Sequence, residues 1–134
     1  RPDLAIHKFM SLIEAGQTVP FFGDGSMGRD YTYVSDTVEG IVAALHHDCS
    51  YDIFNLGNSA PITLNEMVDT ISTCLGRRAL LDRLPDQPGD VPITYADLTH
   101  SCKVLGYQPR VPFARGIEQM VAWFRERRTD PVRR

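Results

Sequence analysis

Phe22-Gly23-Asp24-Gly25-Ser26-Met27-Gly28-Arg29-Asp30-Tyr31-Thr32-Tyr33-Val34 is the stretch on which the fold turns. Gly23, Gly25 and Gly28 satisfy the G-x-G-x-x-G spacing of a dinucleotide-binding loop, and the apolar run Val19-Pro20-Phe21-Phe22 precedes them as a strand would. That loop works only when a helix follows at once, because the pyrophosphate sits on the helix N-terminus. Here the glycines run into Arg29 to Val34, with Tyr31 and Tyr33 on one side and Thr32 and Val34 on the other. Alternating aromatic and β-branched residues build a strand. The context test fails, and the glycines read as a turn between two strands.

Working outward, Leu4, Ile6, Phe9, Met10, Leu12 and Ile13 recur near helical spacing, and Gly16 follows as a stop. The spacing predicts a helix from Pro2 to Ala15, with proline at its tolerated first turn. Asp36, with Glu39 three residues on, predicts a capped helix through Val38, Ile41, Val42 and Leu45. Ile53-Phe54-Asn55-Leu56 reads as a buried strand closed by Gly57. Thr63 and Glu66 form a capping box for a helix that turns Met67, Ile71 and Leu75 inward and ends at Gly76. Ala79 to Leu84 reads as a strand and Pro85 to Pro92 as a loop. Asp97 caps a short helix that stops at Gly106, and Pro112 leads into a last helix with Ile117, Met120, Val121 and Phe124 on one face. Alternating strands and helices argue an α/β fold.

Composition narrows the function classes. The chain has 134 residues, a net charge of −3, 43% apolar and 23% charged residues, ordinary for a globular domain. Nothing in that balance calls for a nucleic-acid or membrane partner, and the closing arginines (Arg125, Arg127, Arg128, Arg133, Arg134) read as a solvated helix end and tail, with 129–134 disordered. No apolar run approaches the roughly 18 residues of a membrane span. Cys49, Cys74 and Cys102 are odd in number and lack a C-x-x-C pattern, so they read as reduced thiols of a cytoplasmic protein. His7, His46, His47 and His100 form no metal or nucleophile constellation and read as partly exposed helix residues. The chain opens on Arg1-Pro2-Asp3, without an initiator Met or a leading strand, which predicts a piece of a longer protein.

The string from Phe22 to Asp36 closely resembles a stretch of the extended short-chain dehydrogenases/reductases, whose members include nucleotide-sugar epimerases, dehydratases and decarboxylases. Asn55-Leu56-Gly57-Asn58 before Thr63-Leu64-x-Glu66-Met67, Gln87-Pro88-Gly89-Asp90-Val91 before Ala96-Asp97, and Leu105-Gly106-Tyr107-x-Pro109 resemble the rest of that family's C-terminal part in order and spacing. Arg1-Pro2-Asp3-Leu4-Ala5 is most similar to the UDP-glucuronate 4-epimerase branch. The resemblance implies a C-terminal UDP-sugar-binding region over residues 1–128, with small strand pairs packed on helices and pieces of the Rossmann layer.

It implies roles by position. Arg29 would clamp the UDP diphosphate, a task for a planar guanidinium fork. By its residues alone, Arg29 could equally sit in a surface pair with Asp30 or Asp24. Asp90 would accept hydrogen bonds from the ribose hydroxyls, although an acid after Pro-Gly also suits a turn. Residues 20–22 would hold the uracil edge, with Phe9 or Phe22 packing on the base, and Arg1 would lie near a hexuronate carboxylate. Gln87 stands where many relatives carry a second diphosphate-binding arginine, so binding weakens unless Arg83 or Arg77 reaches in.

The family's epimerases pass a hydride from sugar C4 to NAD and back, with a tyrosine as base and a lysine four residues later. None of Tyr31, Tyr33, Tyr51, Tyr95 and Tyr107 has that lysine, and the lysines are Lys8 and Lys103. The resemblance therefore implies no catalytic residue, NAD or metal in this chain, and a cofactor held by a full-length homodimeric enzyme. Its expected partners are a UDP-sugar and the missing N-terminal NAD-binding half. The helix from Asp36 to His47 and the strand Ile53 to Leu56 would belong with that half, leaving apolar surface exposed here and favouring self-association or reduced stability. The alternatives are a UDP-glucose 4-epimerase, a dehydratase or decarboxylase relative, or a non-catalytic nucleotide-binding module.

Overall fold

The computed structural model describes residues 4–129, and its elements run α1 (Ala5–Glu14), β1 (Thr18–Phe22), β2 (Gly28–Arg29), α2 (Val34–Leu45), β3 (Ile62–Thr63), α3 (Leu64–Leu75), β4 (Leu80–Leu84), β5 (Ile93–Thr94), α4 (Thr99–Leu105) and α5 (Phe113–Thr129). This is the α/β architecture that the alternation implies. Strands β1 and β4 pair in parallel from Thr18 opposite Leu80 to Phe22 opposite Leu84. Strand β2 lies between β3, antiparallel, and β5, parallel.

One core holds these parts together. Phe9, Met10 and Ile13 of α1 meet Val19 and Phe21 of β1, Met67, Val68, Ile71 and Leu75 of α3, and Ile117, Val121 and Phe124 of α5. The periodicities that placed these residues inward are therefore satisfied by a three-helix packing against a short parallel pair. Strand alternation in β1 turns Val19 and Phe21 into the core and leaves Pro20 and Phe22 on the other face. The capping box of α3 forms as read: Thr63 Oγ1 accepts from the Glu66 amide at 3.1 Å, and Glu66 Oε2 accepts from the Thr63 amide at 2.8 Å. The hydrogen bonds that the Glu66 carboxylate accepts from Thr63, the amide's foremost and then the hydroxyl's at 2.8 Å, hold it below its ordinary pKa.

Several boundaries differ from the sequence reading. The predicted strand Arg29 to Val34 keeps only Gly28–Arg29 in a ladder, and α2 begins at Val34. The alternation was right and its beneficiary was not a sheet. Tyr31 packs its ring on Phe113 at 5.4 Å, and the Tyr33 hydroxyl donates to Gln119 Oε1 at 2.8 Å, so both tyrosines serve α5. Asp36 is not an N-cap: Tyr33 holds that place with no side-chain cap, and no Asp36–Glu39 box forms. Asp36 is instead 2% exposed and accepts the Arg110 and Val111 amides on Oδ2, each at 3.0 Å. Ile53–Leu56 is not a strand, and Ile53 is 67% exposed. A strand of that kind needs neighbours to ladder with, and no described strand lies beside it. The start of the first predicted helix at Pro2 falls outside the described residues, as do 130–134, while Thr129 still closes α5.

Helix α2 is the exposed apolar element. Val34, Val38, Ile41, Val42 and Leu45 are all 46% or more exposed, and together they line one helical stripe. The opposite face is held by Asp36 and by Gly40, which lies against Leu56 and Tyr107. The Tyr107 hydroxyl donates to the Gly57 carbonyl at 2.8 Å, joining this corner to α4.

Candidate functional site

Strand β2 brings the site together. Its Arg29 projects from the face beside β5, and the guanidinium donates through Nη1 to the Gly28 carbonyl at 2.8 Å and the Val91 carbonyl at 2.9 Å. Its Nη2 pairs with Asp90 Oδ1. Asp90 Oδ1 also accepts its neighbour's amide, from Val91, at 3.0 Å. One arginine thus pins the loop that precedes β5 onto β2, and places a cation and a carboxylate side by side, each about one-third exposed.

The next residue fixes the same junction from the other side. Asp30 accepts the Asn58 amide at 3.1 Å, the Ser59 amide at 3.0 Å and the Ala96 amide at 3.1 Å. Asp30 therefore faces the backbone and leaves Arg29 to Asp90, so the surface pair between Arg29 and Asp30 or Asp24 does not form. Asp24 spends its carboxylate on the Ser26 amide at 2.8 Å, and hydrogen bonds from Ser26 hold its pKa below the ordinary value.

Arg29 and Asp90 open onto a cavity of about 260 Å3 whose walls come from four elements. Pro20 and Phe22 reach it from the outer face of β1, Met27 and Tyr31 flank Arg29, Leu64 and Met67 come from α3, and Ala5, Lys8 and Phe9 from α1. Burial raises the pKa of the Tyr31 phenol, against the pull of the Arg29 guanidinium, and keeps its hydroxyl protonated. Ligand pockets commonly hold roughly 300–1,000 Å3, and this one lies a little below that range.

The structure thus gathers four of the predicted binding residues, Arg29, Asp90, Phe22 and Phe9, around one cavity. Of the two phenylalanines, Phe22 is the accessible one; Phe9 is 6% exposed and belongs to the core as well. Gln87 does not line the cavity, and its carbonyl accepts the Asp90 amide at 3.2 Å as part of the turn. Arg77 pairs with Glu14 at 3.3 Å and Arg83 lies over the Phe21 ring at 5.0 Å, so neither reaches in. Arg1 lies outside the described residues. Sequence reasoning missed Lys8, Met27 and Tyr31. A helical wheel carries the signal for the first, since Ala5, Lys8 and Phe9 share one side of α1.

A larger cavity of about 420 Å3 lies between Tyr31–Val34 and α5, with Tyr31 shared between the two. No charged side chain lines it. Among the described residues no cluster of His, Cys, Asp and Glu could hold a metal ion, and no helix is long and apolar enough to cross a membrane.

The model of the family described as GDP-mannose 4,6 dehydratase matches residues 2–120. The chain belongs to that family, among the extended short-chain dehydrogenases/reductases. An uncharacterized protein of Methanocaldococcus jannaschii is 44% identical over 126 residues, 94% of this chain and 39% of that protein. UDP-glucuronate 4-epimerase of Thermodesulfobacterium geofontis is 32% identical over 127 residues, again 94% of this chain and 39% of the relative. Among solved structures, MoeE5 in complex with UDP-glucuronic acid and NAD superposes with a TM-score of 0.88 at 28% identity, covering 95% of this chain and 43% of that one. This short-chain dehydrogenase/reductase chain therefore spans about two fifths of the length of the relatives it matches.

Proposed function

We propose that this chain is the nucleotide-sugar side of an NAD-dependent 4-epimerase, with UDP-glucuronate or UDP-galacturonate as its substrate. The observation that carries the reading is the convergence of Arg29, Asp90 and Phe22 on one cavity. A guanidinium for a diphosphate, a carboxylate for vicinal hydroxyls and an aromatic face for a base are the three chemistries that a nucleoside diphosphate asks for. The uronate choice rests on the UDP-glucuronate 4-epimerase relative and on Arg1-Pro2-Asp3. NAD would supply the hydride acceptor when bound, and would be held by sequence beyond this chain together with the tyrosine base and its lysine. The chain alone binds and orients; it does not epimerise.

Binding reorganises the pair seen here. Arg29 already serves Gly28, Val91 and Asp90, so a diphosphate takes its remaining N–H groups and loosens Asp90 toward the ribose. Arg29→Ala is expected to cost about 1.5–3 kcal/mol of UDP affinity, the range for hydrogen bonds to charged groups. Calorimetric titration with UDP measures it, and equal affinity in wild type and variant would remove Arg29 from the site.

The apolar stripe of α2 is where the remainder of the enzyme would pack in this reading. The chain by itself is then expected to self-associate in sedimentation, and Ile41→Glu to shift it toward monomer by placing a charge in the middle of the stripe. A compact wild-type monomer at the same concentration contradicts that assignment.

A further inference from the structure

The cavity beside Arg29 holds two cations, and among the described residues only Arg29 has an ion-pair partner. Arg29 is neutralised by Asp90 and spends its donors on two carbonyls as well. Lys8 is exposed on α1, lines the same cavity and makes no ion pair with any described residue. Among the described residues the charged groups of the cavity are thus Lys8, Arg29 and Asp90, and Lys8 is the cation with no ion-pair partner there. The other cations that could have stood in for the neutral Gln87 are committed elsewhere: Arg77 to Glu14 and Arg83 to the ring of Phe21.

We propose that Lys8 is the second diphosphate-binding cation of this site, taking from α1 the role that Gln87, on the loop before β5, cannot fill. The assignment rests on the nucleotide reading given above. A lysine ammonium is a compact point charge on a flexible four-carbon stem, so it follows a phosphate without demanding the fixed geometry of a guanidinium fork. Lining the same cavity from α1 while Arg29 does so from β2, it brackets an anion between the two elements. It adds nothing for a ligand that lacks phosphate. That difference separates a binding role from a merely structural one.

The experiment is calorimetric titration of the chain and its Lys8→Ala, Lys8→Arg and Arg29→Ala variants with UDP and with uridine. Lys8→Ala is expected to weaken UDP about tenfold, the effect of one charge-assisted contact at an exposed site. Uridine affinity is expected to stay as in wild type, and Lys8→Arg to restore most of the UDP affinity. If Lys8→Ala binds UDP like wild type while Arg29→Ala is weakened, Lys8 is out and the nucleotide site stands. If Lys8→Ala weakens UDP and uridine alike, its role is in the fold and the proposal fails. A wild-type chain that takes up no UDP overturns the nucleotide reading and this assignment with it.

Discussion

Asp36→Ala is expected to destabilise the chain by about 3–5 kcal/mol, a large share of the roughly 5–15 kcal/mol that holds a domain together. The side chain is 2% exposed, and one carboxylate oxygen accepts two backbone amides, those of Arg110 and Val111 at 3.0 Å each. Alanine removes both part-buried bonds, each worth about 1.5–3 kcal/mol when the acceptor is charged. A simple helix cap would cost only about 1 kcal/mol on the same substitution. The measurement therefore tells a tertiary tie from a cap. Asp36→Asn sharpens the test, because its amide oxygen can still accept both amides without the charge, and a loss of about 1–2 kcal/mol is expected. Urea unfolding followed by circular dichroism reads these differences, and an Asp36→Ala change near 1 kcal/mol would return the residue to the role of a cap.

That case shows where the sequence was legible. Helices α1, α3 and α5 were readable because each carries an apolar stripe that one core consumes, and α3 carries its own start signal in Thr63 and Glu66. Asp36 followed by Glu39 has the pattern of a start signal too. Local pattern cannot show that residues 110 and 111 come within reach, and that long-range contact decided the side chain's fate. The two-residue strands β3 and β5 leave no alternation to detect, since a period of two needs more positions than they have. Ile53–Leu56 is the converse: its composition suits a strand, but a strand exists only beside another.

The site was legible in its chemistry and less so in its membership. Arg29 and Asp90 are 61 positions apart, and only the resemblance joined them before the structure paired them. Gln87 was read as a site residue through its place in a motif, yet the turn uses its backbone and the cavity does not use its side chain. Lys8 went unnoticed because a single lysine on a helix reads as a solvated face. What changes its meaning is Arg29 in the same cavity, on β2, which pairs with β3 and β5.

Gly25→Ala carries the other large expected effect, about 2–5 kcal/mol of destabilisation, and it settles what the glycine triplet is for. Gly25 is buried with φ of 81°, and an added Cβ would lie 2.3 Å from Phe21 Cζ and 2.6 Å from Asn65 Oδ1. Phe21 is 1% exposed and has no room to retreat. Asn65 is bound into the turn, its amide donating to the Gly25 carbonyl at 3.1 Å and its side chain to the Asp24 carbonyl at 3.0 Å. The substitution therefore pays left-handed strain of about 1–2 kcal/mol and overpacking of about 1–3 kcal/mol. Gly16→Ala calibrates the first of these, since Gly16 has φ of 67° and nothing within 4 Å of its missing Cβ. The excess of Gly25→Ala over Gly16→Ala in urea unfolding isolates the packing contribution. Equal stabilities of the two variants would mean that Phe21 and Asn65 give way to the added Cβ, and would remove close packing as the reason for Gly25.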